Sequence, residues 1–167
     1  MEIDLASLLI GTAGLSIVLL ISIALSASRR AVTPRSMQAI RIRSAAMIVV
    51  QSVHFAEEWV TGFSTRYPEL LGLAPWPESL FVAFNLVWIA IWVVSVVAIG
   101  SSGRFGTFPL WFLAIASVAN AVVHPVLALV SRGYFPGLWS SPLAGILGIV
   151  LWRALIAATA NDRGASR

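Results

Sequence analysis

Between Gln51 and Thr61 the chain reads QSVHFAEEWVT, which sets His54, Glu57 and Glu58 inside a run otherwise apolar enough for a lipid bilayer. An ionisable side chain at the bilayer centre costs roughly 2.5–3.5 kcal/mol on insertion scales, so this cluster needs a reason. At about 100° per residue, Gln51, His54, Glu57, Glu58 and Thr61 all fall within an arc of about 120° on one helix face. That face is expected to look into a protected interior, the default place for an active or binding site.

A second polar stripe lies further along. Ser117, Asn120 and His124 fall within about 60° of one another around their helix, and Pro125 follows at once. Proline leaves the Ala121 carbonyl without its usual donor, which predicts a kink beside His124. His54 sits about nine residues, roughly 13 Å, before the outer end of its helix, and His124 about seven before the end of its own. The two histidines therefore share a level, to which Asn85 also descends. The expected cluster is His54, Glu57, Glu58, Asn85, Asn120 and His124.

Two imidazoles and a carboxylate suit Zn²⁺, Fe²⁺ or Mn²⁺, with His54, Glu58 and His124 as the metal ligands. The same groups without an ion make an acid–base set, because burial and a neighbouring carboxylate favour a protonated acid beside a neutral imidazole. Spacing does not separate the two. Packing alone does not call for adjacent carboxylates, so His54, Glu57, Glu58 and His124 are read as catalytic. Gln51, Asn85, Asn120, Tyr134, Trp59 and Trp88 are candidates for substrate contact or support. For Asn85, Ser117 and Thr61, hydrogen bonding between helices, worth about 0.6 kcal/mol on average, is the better reading. Trp59 and Trp88 suit an aromatic core, and Gly11, Gly14, Gly145 and Gly148 suit close helix packing.

The elements that must position these residues follow from composition. With 59% hydrophobic and 11% charged residues and a mean hydropathy of +0.91, the chain is far from a soluble domain, in which roughly a quarter of residues are charged. Apolar runs at about 5–27, 36–63, 79–100, 108–131 and 138–158 each reach the ~20 residues that cross a hydrocarbon core. The second is the least hydrophobic. The expected fold is all-α, a polytopic membrane helical bundle of about five transmembrane helices in one domain over residues 1–167.

All eleven basic residues are arginines. Arg29, Arg30, Arg35, Arg41 and Arg43, interrupted by Pro34, mark the first connection as cytoplasmic. Arg104, Arg163 and Arg167 then fall inside as well, Arg153 snorkels near the inner end of the last helix, and only Arg66 and Arg132 fall outside. The N-terminus is accordingly outside and the C-terminus cytoplasmic, with the site in the outer leaflet. The acidic start, MEIDLASLL, is read as a retained first helix rather than a signal peptide. The outer loop at about 64–78, with Tyr67, Pro68, Pro75, Trp76 and Pro77, suits an interfacial cap, and most of the seven tryptophans sit near helix ends, as in an aromatic belt. No internal repeat is present, and the closing NDRGASR reads as a short polar tail. The absence of cysteine excludes disulfides and leaves nitrogen and oxygen as the only metal ligands. The arginines lie in connections without the interleaved aromatics of a nucleic-acid surface, so no nucleic-acid partner is expected.

His54-Phe55-Ala56-Glu57-Glu58, the later His124 and Tyr134-Phe135-Pro136-Gly137 together resemble the HXXEE family of small bacterial integral membrane proteins, whose function is uncharacterised. The resemblance runs over nearly the whole chain and implies a multi-pass protein of the inner (plasma) membrane. It supports His54, Glu57, Glu58 and His124 as site residues, and places Tyr134 at the mouth of the cavity. His54 and Glu58, with Trp59 next, are also similar to the His-x-x-x-Glu pair of emopamil-binding sterol isomerases. Those five-helix proteins act by metal-free proton transfer on a lipid held between helices, which implies a lipophilic substrate.

The function expected is thus a membrane-embedded enzyme that takes a lipid-like or isoprenoid-like molecule from the bilayer. It would work as an isomerase or cyclase, or as a metal-dependent hydrolase with one divalent ion as cofactor. A proton-coupled or metal-ion transporter and a structural accessory subunit are the alternatives from other classes.

Overall fold

The computed structural model describes residues 4–100 and 105–160. Arg104, Arg163 and Arg167, read above as topology markers, and the polar tail lie outside the described residues. The described chain is all-helical, with α1 (Leu5–Gly11), α2 (Ala13–Ser28), α3 (Pro34–Val60), α4 (Phe63–Leu70), α5 (Glu78–Ala98), a 3-10 turn (Phe105–Thr107), α6 (Phe108–Val130) and α7 (Ser141–Ala158).

The first expected helix is two, bent by 54°. The cause is local. Thr12 turns its hydroxyl back onto the Leu8 carbonyl at 2.7 Å, and Gly11 is where Trp76 presses on the chain: a Cβ there would meet the indole at 2.2 Å. Trp76 also donates its indole N–H to Ser7 (3.1 Å), whose own hydroxyl donates to the Ala74 carbonyl (2.6 Å). The bend thus carries α1 over to the segment that precedes α5.

α3 starts on Pro34, whose fixed φ suits the first helical position. It ends at Gly62, which adopts φ +81° and turns the chain directly into α4. α6 is the central helix, with Leu110, Trp111, Leu113 and Ala114 fully buried, and it packs on α2, α5 and α7, while α3 packs on α5 and α7. Gly145 and Gly148 let α7 approach α6 closely, since a Cβ would stand 2.3 Å from the Ala121 Cβ and 2.9 Å from the Ala114 carbonyl oxygen, respectively. Gly14 differs from the expectation. Nothing lies within 4 Å of its missing Cβ. α6 runs unbroken through Pro125.

Among the described residues three helices, α5, α6 and α7, are long and apolar enough to cross a membrane, and the bent pair α1–α2 counts as a fourth if it is one span. At 27 residues α3 is long enough, but its arginines, carboxylates and histidine keep it outside that apolar set. The surface is correspondingly apolar: Val60, Val97 and Leu129 are each more than 70% exposed. Arg41, read from sequence only as a topology marker, also caps α5, reaching the carbonyls of Val96 (3.3 Å) and Val97 (3.2 Å).

The contrast between glycines gives a direct check on this packing. Gly145→Ala forces two Cβ atoms together, and overpacking of this kind costs about 1–3 kcal/mol. The detergent-solubilised protein should melt several degrees lower. Gly14→Ala should leave the melting temperature unchanged or raise it, since alanine is the better helix former and meets nothing.

Candidate functional site

Near the C-terminal ends of α3 and α6, the rings of His54 and His124 meet edge to face with centroids 4.7 Å apart. Glu58 reaches both, its Oε1 standing 3.5 Å from His54 Nε2 and 3.3 Å from His124 Nε2. All three residues are buried, at 0%, 2% and 7% exposure for His54, His124 and Glu58. The i to i+4 spacing of His54 and Glu58 places them one above the other on α3, and α6 supplies His124 from the facing side.

The hydrogen bonds decide which ring nitrogen carries the proton. His124 Nδ1 lies 2.6 Å from the Pro136 carbonyl, which can only accept, so Nδ1 is a donor and Nε2 is the nitrogen that faces Glu58 Oε1. His54 Nδ1 lies 2.8 Å from Ser140 Oγ. That hydroxyl donates to Glu57 Oε2, so it accepts from His54 and leaves Nε2 as a free lone pair. Asn120 Nδ2, 3.1 Å away, donates to that lone pair. Three atoms, two imidazole nitrogens and one carboxylate oxygen, thus lie within 4.8 Å of one another. Such a set is satisfied by a proton or a metal cation placed among them.

Glu57 does not join this cluster, a correction to its reading as catalytic. It lies about 100° around the helix from Glu58 and faces the start of α7, not the cavity. Its carboxylate accepts from Tyr134 OH (2.7 Å), the amides of Trp139 (3.0 Å) and Ser140 (2.9 Å), and the Ser140 hydroxyl. Burial, foremost, and the Glu57 carboxylate raise the Tyr134 phenol above its ordinary range, against an opposing hydrogen bond from Thr61. Trp59 is a second correction. It follows Glu58 by another 100°, is nearly half exposed, and gives its N–H to Glu78 Oε1 at 2.7 Å.

A cavity of about 480 Å³ opens beside the cluster, and Glu58, His124 and Asn120 form its polar wall. Gln51 also lines it and accepts from Ser117 Oγ at 3.1 Å. Asn85 lines it further off, with its amide turned onto the Phe81 carbonyl of its own helix (2.9 Å), so it stands apart from the cluster in which the sequence placed it. Trp88 lines it too, with its ring centroid 4.3 Å from that of Phe112. α4 contributes Phe63 and Tyr67 to one end. Phe63 packs on His124 (5.8 Å) and Tyr67 (5.0 Å), and burial raises the Tyr67 phenol above its ordinary range. The remaining side lies between α2 and α5, where Gly14 and the partly exposed Phe84 form the rim.

Sequence reasoning missed two residues that set the rings. Gly137 holds φ +85°, and a Cβ there would meet His124 at 2.4 Å and His54 at 2.8 Å. The signal was the Pro136-Gly137 pair, read only as part of the family motif. Ser140 carried no signal, because its partners come from a distant helix.

A family model described as a protein of unknown function with HXXEE motif matches residues 45–152, well over half of the chain. The chain belongs to the HXXEE family. Its motif histidine is His54 and its paired glutamates are Glu57 and Glu58. The matched stretch holds every side chain of the cluster, including His124, Tyr134, Gly137 and Ser140, and leaves out the wall that α1 and α2 contribute to the cavity. No curated protein and no solved structure matches the chain.

The two glutamates of the motif therefore differ in what a glutamine would do. At Glu57 the amide NH₂ would face donors that now meet a carboxylate, so that the Tyr134 hydroxyl and the Trp139 and Ser140 amides would compete for one remaining acceptor oxygen. Glu57→Gln should lower the melting temperature accordingly, whereas Glu58→Gln, which removes a charge from an apolar interior, should be neutral or stabilising. Equal losses at both positions would contradict this division.

Proposed function

We propose that this HXXEE protein is a membrane-embedded enzyme that draws a lipophilic molecule from the bilayer and transforms it beside Glu58 and His124. One divalent ion, Zn²⁺, Fe²⁺ or Mn²⁺, is held by His54, Glu58 and His124. The observation that carries this reading is the convergence of two imidazole Nε2 atoms and one carboxyl oxygen on the polar wall of an otherwise apolar cavity. Tetrahedral ligands at ~2.05 Å from an ion stand about 3.3–3.4 Å apart, and the two separations around Glu58 are 3.3 and 3.5 Å. Both Nδ1–H groups are tied back, one to a backbone carbonyl and one through Ser140 to Glu57, the support that metal-ligating histidines commonly have. Asn120 must release His54 Nε2 for an ion to enter.

The ion would supply Lewis acidity and an activated water. This chain's own residues do the rest. Phe84, Trp88 and Phe112 hold the apolar body of the substrate, Glu58 and Asn120 orient its polar end, and α4 excludes water from the outer side. Entry is lateral, between α2 and α5, because that rim faces the level of the acyl chains.

The wider setting belongs to the same proposal. α3 is the fifth span, its carboxylates and histidine facing inward, and the protein is multi-pass in the plasma (inner) membrane. The N-terminus is outside and the C-terminus inside, as the arginines at the α2–α3 connection require. Since the chain has no cysteine, single cysteines report sidedness cleanly. Thr65→Cys should react with an impermeant maleimide added to intact cells, and Thr33→Cys only after lysis. The opposite pattern reverses the orientation.

Function is tested on protein in nanodiscs made from total membrane lipid, with mass spectrometry of the lipids and elemental analysis of the protein. Wild type should carry close to one equivalent of Zn, Fe or Mn and convert one lipophilic species. His124→Ala should lose the metal, and Glu58→Gln should slow conversion by about 10²–10⁴ while remaining folded. Conversion by protein free of metal would leave the enzyme reading standing and remove the ion from it. An unchanged lipid profile with folded, metal-loaded wild type would remove the enzyme reading.

A further inference from the structure

At the end of α3 and α7 remote from the histidines lies a second cavity, of about 610 Å³, between the two helices. On α3 its lining recurs as Ser36, Ala39, Ile40 and Arg43, and on α7 at intervals of three and four from Val150 to Ala157. One face of each helix therefore builds it. Arg35, Arg43 and Arg153 stand on its rim, and all three are exposed. No acidic side chain lines the groove, and among the described residues none of the three guanidiniums has a hydrogen-bond or ion-pair partner. Ala39, Ala154 and Ala157 make an apolar floor that continues to the exposed Val150.

Three guanidiniums around one groove, with no acidic partner among the described residues, favour an anion between them. Guanidinium binds phosphate oxygens through paired N–H donors. An alanine floor running on toward the bilayer interior suits an acyl chain and has nothing to offer a soluble anion. We propose that this groove binds an anionic phospholipid, its phosphate on Arg35, Arg43 and Arg153 and one chain laid over the alanine floor toward Val150. The proposal rests on α3 and α7 spanning the membrane and is independent of the chemistry at Glu58.

The test is native mass spectrometry of the full chain released from non-ionic detergent, with phosphatidylglycerol or phosphatidylcholine of identical acyl chains added. Phosphatidylglycerol should be retained as one bound lipid, about ten-fold or more tighter than phosphatidylcholine. The Arg43→Gln/Arg153→Gln double variant should lose about ten-fold or more of that affinity, and Arg132→Gln, in the turn after α6, should lose none. If the double variant is not monodisperse, Arg35→Gln carries the same comparison from the rim with a smaller loss. Equal retention of the two lipids, or a double variant that binds as wild type does, would overturn the proposal. So would displacement of phosphatidylglycerol by millimolar inorganic phosphate, which would make the groove a site for soluble anions.

Discussion

The Glu57 carboxylate holds the start of α7 against α3, accepting two backbone amides and the hydroxyls of Ser140 and Tyr134. Several features depend on that attachment. It commits the Ser140 proton, which turns the same oxygen toward His54 Nδ1 as an acceptor. It also fixes the turn before α7, so that the Pro136 carbonyl meets His124 Nδ1 and Gly137 slides against both rings. The orientation of two imidazoles on two helices is thus set from a third. In an apolar interior an unpaired acceptor is expensive, and a carboxylate surrounded by donors is a strong way to define one arrangement.

The division of labour between the two glutamates follows from helix geometry. Adjacent residues point about 100° apart, so a pair on one helix can serve two neighbours: Glu57 the start of α7, Glu58 the histidines and the cavity. The motif is then a spacing rule, in which position one and position five share a face and position four reaches the adjacent helix. α6 completes it by carrying His124 and Asn120 on a helix that is otherwise deeply buried.

Charge is distributed along the bundle axis with a purpose at each end. Glutamates and histidines gather near the C-terminal ends of α3 and α6, while arginines gather where α3 begins. Arg41 closes the carbonyl end of α5, and the Arg29 guanidinium lies 5.2 Å from the centroid of the Trp111 ring. Between the two ends the outward faces of α2, α5 and α7 are apolar, and these helices offer little besides close packing and serine back-bonds within each helix.

Composition and hydropathy were enough to read an all-helical chain with membrane-length apolar helices, because burial in lipid demands long apolar runs whatever they pack against. Periodicity and depth were enough to bring His54, Glu58 and His124 to one level, because helix rise and twist are nearly constant. The sequence did not disclose the bend at Thr12, which depends on Trp76 pressing on Gly11 from a distant segment. Nor did it separate Glu57 from Glu58, or place Trp59 on the surface and Asn85 on the far wall. Those outcomes depend on which neighbour each helix face meets, and nothing local to α3 specifies that α7 begins opposite position 57. Which nitrogen of each histidine faces Glu58 was likewise decided only in three dimensions, since it is set by the partner of the other ring nitrogen, and Ser140 and Pro136 come from elsewhere in the chain.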